Sequence, residues 1–210
     1  MSLFSGLPDP TLDIISSHAG VKTFPKGAIV INEGDETQSL YIVLSGKVKI
    51  YLSDDEGKEI MLDTHGPDEY FGELALLEDA PRSASVMTME PCKFLVLSKT
   101  DFKECLLEYP DIALHLLKEL ASRVRQLTEN VKSLALMDVY GRVARTLLNL
   151  AAEEGEKLVI AQQLTHQDIA NRVGASREMV SRILKDLANG GYIKIENKRI
   201  VINKKLPPDW

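Results

Sequence analysis

Between Val21 and Leu97 apolar and polar residues alternate in short runs, at Ala28 to Ile31, Leu40 to Leu44, Val48 to Tyr51, Ile60 to Leu62, Ser85 to Met89 and Phe94 to Leu97. Glycines at 27, 34, 46, 57, 66 and 72 punctuate them, and Asp54-Asp55-Glu56-Gly57 and His65-Gly66-Pro67-Asp68 carry turn chemistry. Such runs, with turn signals roughly every 8 to 12 residues, predict a β-sandwich or barrel. From Asp111 the period changes. Leu117, Leu120, Val124, Leu127, Val131 and Leu134 stand alternately three and four apart, which makes a heptad seam. Its first core position holds Leu, Val and Val and its second holds Leu throughout, a pattern that favours a parallel two-stranded coil and predicts a homodimer. The alternative is one amphipathic helix packed on its own domain.

Leu136-Met137-Asp138 reads as a joint, with Asp138 capping a helix through Val143, Leu147, Leu148 and Leu150 that ends in the run Glu153 to Lys157. Thr165-His166-Gln167-Asp168 caps a short helix with Ile169, Ala170 and Val173 inward, stopping at Gly174. After a tight turn Ser176 caps a second helix that closes at Asn189-Gly190-Gly191. On it Met179, Val180, Ile183, Leu184 and Leu187 form one apolar stripe, opposite Arg177, Glu178, Ser181, Arg182 and Lys185. Tyr192 to Ile195 and Arg199 to Ile202 then alternate around Glu196-Asn197-Lys198 as a hairpin wing, with Lys198 and Arg199 at its tip, where they could clamp a nucleic-acid phosphate backbone and add affinity without sequence information.

Charge separates the two parts of the chain. The net charge of −6 divides into −9 over residues 1–137 and +3 over 138–210, and residues 165–205 alone carry +5. The first part repels phosphate and the second attracts it. Long donors on a capped helix fit a DNA major groove, because Arg can grip guanine O6 and N7 in two bonds and Glu can accept from cytosine N4. The plain alternative for that polar face is an ordinary solvated surface. Cys92 and Cys105 stand apart with no CxxC and no His at ligand spacing, so no metal site is expected, and two free thiols suit a reducing cytoplasm. His18, His65, His115 and His166 are isolated. No stretch approaches about 20 apolar residues and the first residues lack a basic start, so neither membrane association nor export is expected.

The sharpest motif of the first half is Phe71-Gly72-Glu73-Leu74-Ala75-Leu76-Leu77-Glu78-Asp79-Ala80-Pro81-Arg82-Ser83-Ala84-Ser85. Glycine admits close backbone approach, a short helix presents amides, and Arg82 with Ser83 adds a charge and a hydroxyl, which together make an anion cradle. A sugar hydroxyl would give Glu73 a donor, so a phosphate joined to ribose fits. The alternative is that Arg82 merely pairs with Glu73.

Over essentially its whole length the chain resembles the CRP/FNR family of bacterial transcription regulators. FGELALLEDAPRSA resembles the family's phosphate-binding cassette and LTHQDIANRVGASREMVSRILKDL its helix-turn-helix. The resemblance implies an α+β chain: a cyclic-nucleotide-binding β-roll over 1–110, a dimerisation helix and hinge over 111–137, and a winged helix-turn-helix over 138–210. It implies that Gly72, Glu73 and the adjoining Leu74 hold the ribose side of a cyclic nucleotide, and Arg82 and Ser83 its phosphate. It further implies that Arg177, Glu178 and Arg182 read a TGTGA-like half-site in double-stranded DNA, with Ser176, Ser181 and Lys185 as further DNA-binding residues.

Two positions depart from the pattern of cyclic-AMP binders. Leu127 replaces a hydroxyl residue and leaves Thr128 to read the base, and Asp63 stands where a serine is usual. Cyclic AMP is the favoured ligand; cyclic GMP, a cyclic dinucleotide, or a dimer active without ligand are the alternatives. RNA polymerase is a further partner the resemblance implies, although the Glu153 to Ala161 loop is shorter than in the cyclic-AMP-binding members. An iron-sulfur or haem branch lacks its ligands here. An enzyme acting through Glu73 and Arg82 lacks a second carboxylate or a nucleophile and base, so no catalysis and no cofactor beyond the ligand is expected. A nucleotide-binding scaffold without DNA activity would leave the capped reading helix unexplained.

Overall fold

The computed structural model describes residues 19–36, 38–155, 157–196 and 199–206. The chain divides into two compact units, 1–125 and 126–210, and the division falls inside one long helix.

The first unit is built from two four-stranded antiparallel sheets. One runs in the order β1 (Gly20–Phe24), β8 (Cys92–Ser98), β3 (Ser39–Ser45), β6 (Tyr70–Phe71), and the other β2 (Ile29–Ile31), β7 (Ser85–Thr88), β4 (Val48–Ser53), β5 (Glu59–His65). Tyr41, Val43, Phe71, Cys92 and Phe94 from the first sheet meet Ile31, Val48 and Val86 from the second in one buried cluster. β3 reads Leu-Tyr-Ile-Val-Leu rather than alternating because both its faces are covered. Leu40 and Ile42 point away from that cluster, into a second one with Leu95, Leu97 and the helices. Those helices are α1 (Glu73–Glu78), α2 (Lys99–Glu108) and α3 (Pro110–Leu136), which contribute Leu76, Phe102, Cys105, Ile112 and Leu116. Each fully buried Leu, Ile or Phe is worth roughly 1.5–3 kcal/mol.

Along α3 burial stops after Leu116. Leu117, Val124 and Val131 are 61, 62 and 64% exposed, Leu127 and Leu134 are exposed too, and Leu120 is half-buried against the second cluster. The heptad seam is therefore an apolar stripe open to solvent in a single chain.

In the second unit the Asp138 carboxylate accepts from the Gly141 amide at 2.7 Å and starts α4 (Val139–Leu150). Thr165 and Asp168 cap α5 (His166–Val173) reciprocally, Gly174 closes it in the left-handed region, and Ser176 caps α6 (Arg177–Asn189) by accepting from the Met179 amide. Tyr140, Val143, Leu147, Ile169, Ala170, Val173, Val180, Ile183, Leu184 and Leu187 form its core.

Two sequence expectations change here. Glu153 to Lys157 is more than a helix end, since β9 (Ala152–Glu154) and β10 (Lys157–Ile160) pair antiparallel. They extend the hairpin of β11 (Ile193–Glu196) and β12 (Arg199–Ile202) into a four-stranded sheet ordered β11-β12-β10-β9. β9 reads Ala-Glu-Glu, with all three residues exposed, and its pairing rests on main-chain bonds that leave no hydrophobic signature. Met179, placed in the apolar stripe from its spacing, is 36% exposed on the flank of α6, while Val180, Ile183, Leu184 and Leu187 are buried.

Candidate functional site

The cassette starts where β6 ends. Gly72 takes a left-handed conformation, φ 88°, at the head of α1, and a Cβ there would lie 2.6 Å from the Arg82 guanidinium. Both a free φ and a missing side chain are thus required at this position. Arg82 is only 3% exposed. Its Nη1 donates to the Gly72 carbonyl and its Nη2 to the Ser39 carbonyl, each at 2.6 Å. Its main chain is fixed as well, with the Arg82 amide donating to the Asp35 carbonyl and the Gly34 amide to the Arg82 carbonyl. Burial lowers the Arg82 guanidinium from its ordinary value, opposed by the nearby Tyr41, Glu73 and Asp35. Burial also raises the Tyr41 phenol, against the pull of Arg82. Ser83, the next residue, is exposed, as is Leu74 on α1.

Glu73 is buried, and its partner is Arg123 rather than Arg82. Arg123 Nη1 donates to Glu73 Oε1 at 2.6 Å, Nη2 to the Tyr70 carbonyl at 3.2 Å, and the guanidinium carbon lies 4.8 Å from the centre of the Tyr70 ring. Sequence reasoning missed Arg123 because it falls between the seam positions of α3, fifty residues from its partner. A buried carboxylate demands a cation, and that demand was the one available signal. Burial raises the Tyr70 phenol, and Glu119 raises it further. At the end of β5, burial raises the Asp63 carboxyl, yet the hydrogen bond and charge of His65, the Thr64 amide and the Arg123 charge together bring it below the usual range. Gly72, Glu73, Arg82 and Asp63 are thus gathered around two guanidinium groups. Leu127 and Thr128 lie beyond residue 125 on α3, in the second unit, with both side chains exposed.

The second unit presents a separate polar surface. Ser176, Arg177, Glu178, Arg182 and Lys185 are exposed and Ser181 half-buried along α6, held by the apolar side beneath. Arg142 braces this unit, donating from Nε to the Val173 carbonyl at 2.8 Å and from Nη1 to the Met137 carbonyl at 2.9 Å. It thereby joins the end of α3 to the end of α5. On the wing sheet Arg199 is engaged by Glu154 in a close ion pair, and Lys194 pairs with Glu196 at 2.6 Å. Lys198 lies outside the described residues. Among the described residues no helix is long and apolar enough to cross a membrane, and no group of three His, Cys, Asp or Glu side chains is placed to hold a metal ion.

Comparison with known proteins matches both parts. The cyclic nucleotide-binding domain family matches residues 21–109 and the Crp-like helix-turn-helix domain family residues 141–205. A CRP-like cAMP-activated global transcriptional regulator of Mycobacterium tuberculosis is 35% identical over 205 residues, covering 96% of this chain and 92% of that one. The c-di-GMP responsive global regulator CLP of Xanthomonas campestris superposes with a TM-score of 0.82 at 28% identity, over 94% of this chain and all of the other. The catabolite activator protein of Thermus thermophilus gives a TM-score of 0.59 at 32% identity, over 97% and 94%.

Proposed function

Since the chain belongs to the CRP-like family of cyclic-nucleotide-responsive, DNA-binding transcription regulators, we propose that it acts in the cytoplasm as a homodimer whose effector is cyclic AMP. It would have no catalytic role of its own. Gly72, Glu73 and Leu74 flank the ribose, Arg82 and Ser83 take the phosphate, and Thr128, with Leu127 and Asp63, bounds the base. The observation that carries this reading is the buried Arg82 guanidinium, fixed by the Gly72 and Ser39 carbonyls beside the Glu73 carboxylate. Its main chain is clamped, its charge is desolvated, and a charge-assisted bond to phosphate is strong there.

The seam Leu117, Leu120, Val124, Leu127, Val131 and Leu134 pairs the two protomers, and α6 of each enters one major groove of a TGTGA-like palindrome. Two-fold DNA needs the two reading helices about 34 Å apart. Ligand drives this only by binding the DNA-competent arrangement better than the other. Arg142 passes movement at the end of α3 to α5 and hence to the turn before α6. RNA polymerase is a candidate partner once DNA is bound.

Calorimetry with cyclic AMP, cyclic GMP and cyclic di-GMP, alongside a gel shift on the palindrome, tests the reading. Cyclic AMP binding that raises DNA affinity supports it, with Arg82→Ala weakening the nucleotide roughly 10- to 150-fold, the range of a hydrogen bond to a charged group. If no cyclic nucleotide binds, or if Arg82→Ala binds equally well, the pocket assignment falls. Asp63 favours a second reading. An ionised carboxylate there accepts from the N1–H and N2–H edge of guanine, whereas adenine offers only its N6 amine beside an acceptor. Preference for a guanine nucleotide in the same titration would replace cyclic AMP as effector.

The wing yields another expectation. Glu154 holds Arg199 away from phosphate, and an exposed ion pair of this kind is worth about 0.2–1 kcal/mol. Glu154→Gln is therefore expected to tighten duplex binding about 1.4- to fivefold. The slope of log affinity against log salt should steepen by roughly one, the mark of an added phosphate contact. An unchanged slope would remove Arg199 from the interface.

A further inference from the structure

We propose that Met179 is a specificity-determining residue that packs its methyl group against the C5-methyl of a thymine neighbouring the base pair contacted by Arg182. This rests on the reading that α6 enters a DNA major groove.

Met179 is the large apolar side chain that α6 leaves exposed. The helix buries Val180, Ile183, Leu184 and Leu187, so its hydrophobic demand is already met without Met179. Met179 sits in the first helical turn, where its amide is held by Ser176 Oγ at 3.2 Å, and residues 176 to 179 are consecutively exposed. Its sulfur lies 3.7 Å from Arg182 Nη2. One turn of helix thus offers a guanidinium with a thioether against its flank.

The chemistry of the side chain narrows what it can touch. A thioether has no N–H or O–H to give a phosphate and is a weak acceptor, so it adds nothing to backbone positioning. In the major groove the apolar feature that distinguishes one base from the other three is the thymine methyl. An unbranched, polarisable side chain adapts well to such a surface. Arg182 has donors for guanine O6 and N7, and the adjoining methionine supplies the complement for a thymine. The pair therefore reads a thymine-guanine step as a unit.

Replacing single thymines by deoxyuridine removes one methyl and nothing else. The full-length protein with saturating cyclic nucleotide is used to select its preferred site from a random duplex pool. Affinity is then measured by fluorescence anisotropy on that site and on versions with one thymine per half-site changed to deoxyuridine. At one position wild type is expected to weaken about fourfold for each half-site changed, the worth of one buried methyl. The same change should leave Met179→Ala unaffected, while Met179→Ala melts as wild type does because the side chain is outside the core. Indifference of wild type to every deoxyuridine overturns the proposal, as does equal sensitivity in Met179→Ala, or a loss in Met179→Ala that is uniform over random DNA. Failure to enrich any site overturns the groove reading itself, and the proposal with it.

Discussion

Arg123→Ala should lower the thermal midpoint of the first unit by about 10 °C, corresponding to a loss of about 3 kcal/mol. Glu73 is buried, and Arg123 is the cation its carboxylate touches, at 2.6 Å. Removing the arginine strands a carboxylate in a place water barely reaches, and it also strips the Tyr70 carbonyl and ring of their contact. Breaking one side of a buried pair typically costs about 3–5 kcal/mol; the lower end applies because the Arg123 side chain is about one-quarter exposed. Scanning calorimetry of Arg123→Ala, Glu73→Gln and the double variant separates the pair from its surroundings. The double variant should recover part of the loss, since no stranded carboxylate is left behind. A midpoint within a degree of wild type for Arg123→Ala would mean that Glu73 draws its stability elsewhere.

If the α3 stripe pairs two protomers as proposed, Val131→Asp combined with Leu134→Asp should give a monomer and weaken binding to a palindrome by roughly 10²- to 10⁴-fold. Both positions lie on the open stripe of α3, away from the cores of either unit, so the monomer should stay folded. The loss arises because the second half-site is no longer engaged from within one complex, although each α6 surface is unaltered. Sedimentation on the variant and anisotropy on one-half-site and two-half-site DNA check this together. If the variant sediments as wild type, the stripe is not the dimer seam. If it is monomeric yet keeps full palindrome affinity, the two reading helices do not act as a pair.

What was legible in the sequence follows the range of each interaction. The caps at Asp138, Thr165 and Ser176, the stop at Gly174 and the apolar stripe of α3 are local, set by residues within a turn or two, and the structure contains each of them. Gly72, Glu73 and Arg82 were legible as a cluster because the motif is contiguous. The partners were not. Arg82 reaches the Ser39 carbonyl and Arg123 reaches Glu73 from more than forty residues away, contacts that only the packing of sheets and helix decides. Met179 shows the limit of periodicity, because a residue at the edge of a helical stripe faces the core or the solvent according to how its neighbours fill the space. β9 shows another, since a strand of exposed residues joined by backbone alone does not alternate.

The space beside Gly72 has a bearing on how this chain can drift. A Cβ at that position would collide with the guanidinium that Gly72 and Ser39 together anchor, and the left-handed φ there would strain any other side chain whatever stood at 82. A smaller residue at 82, in turn, abandons the Gly72 and Ser39 carbonyls and the charge beside Glu73. Position 72 is thus closed to drift on two independent grounds, its backbone conformation and the space Arg82 fills, and a change at 82 lifts only the second.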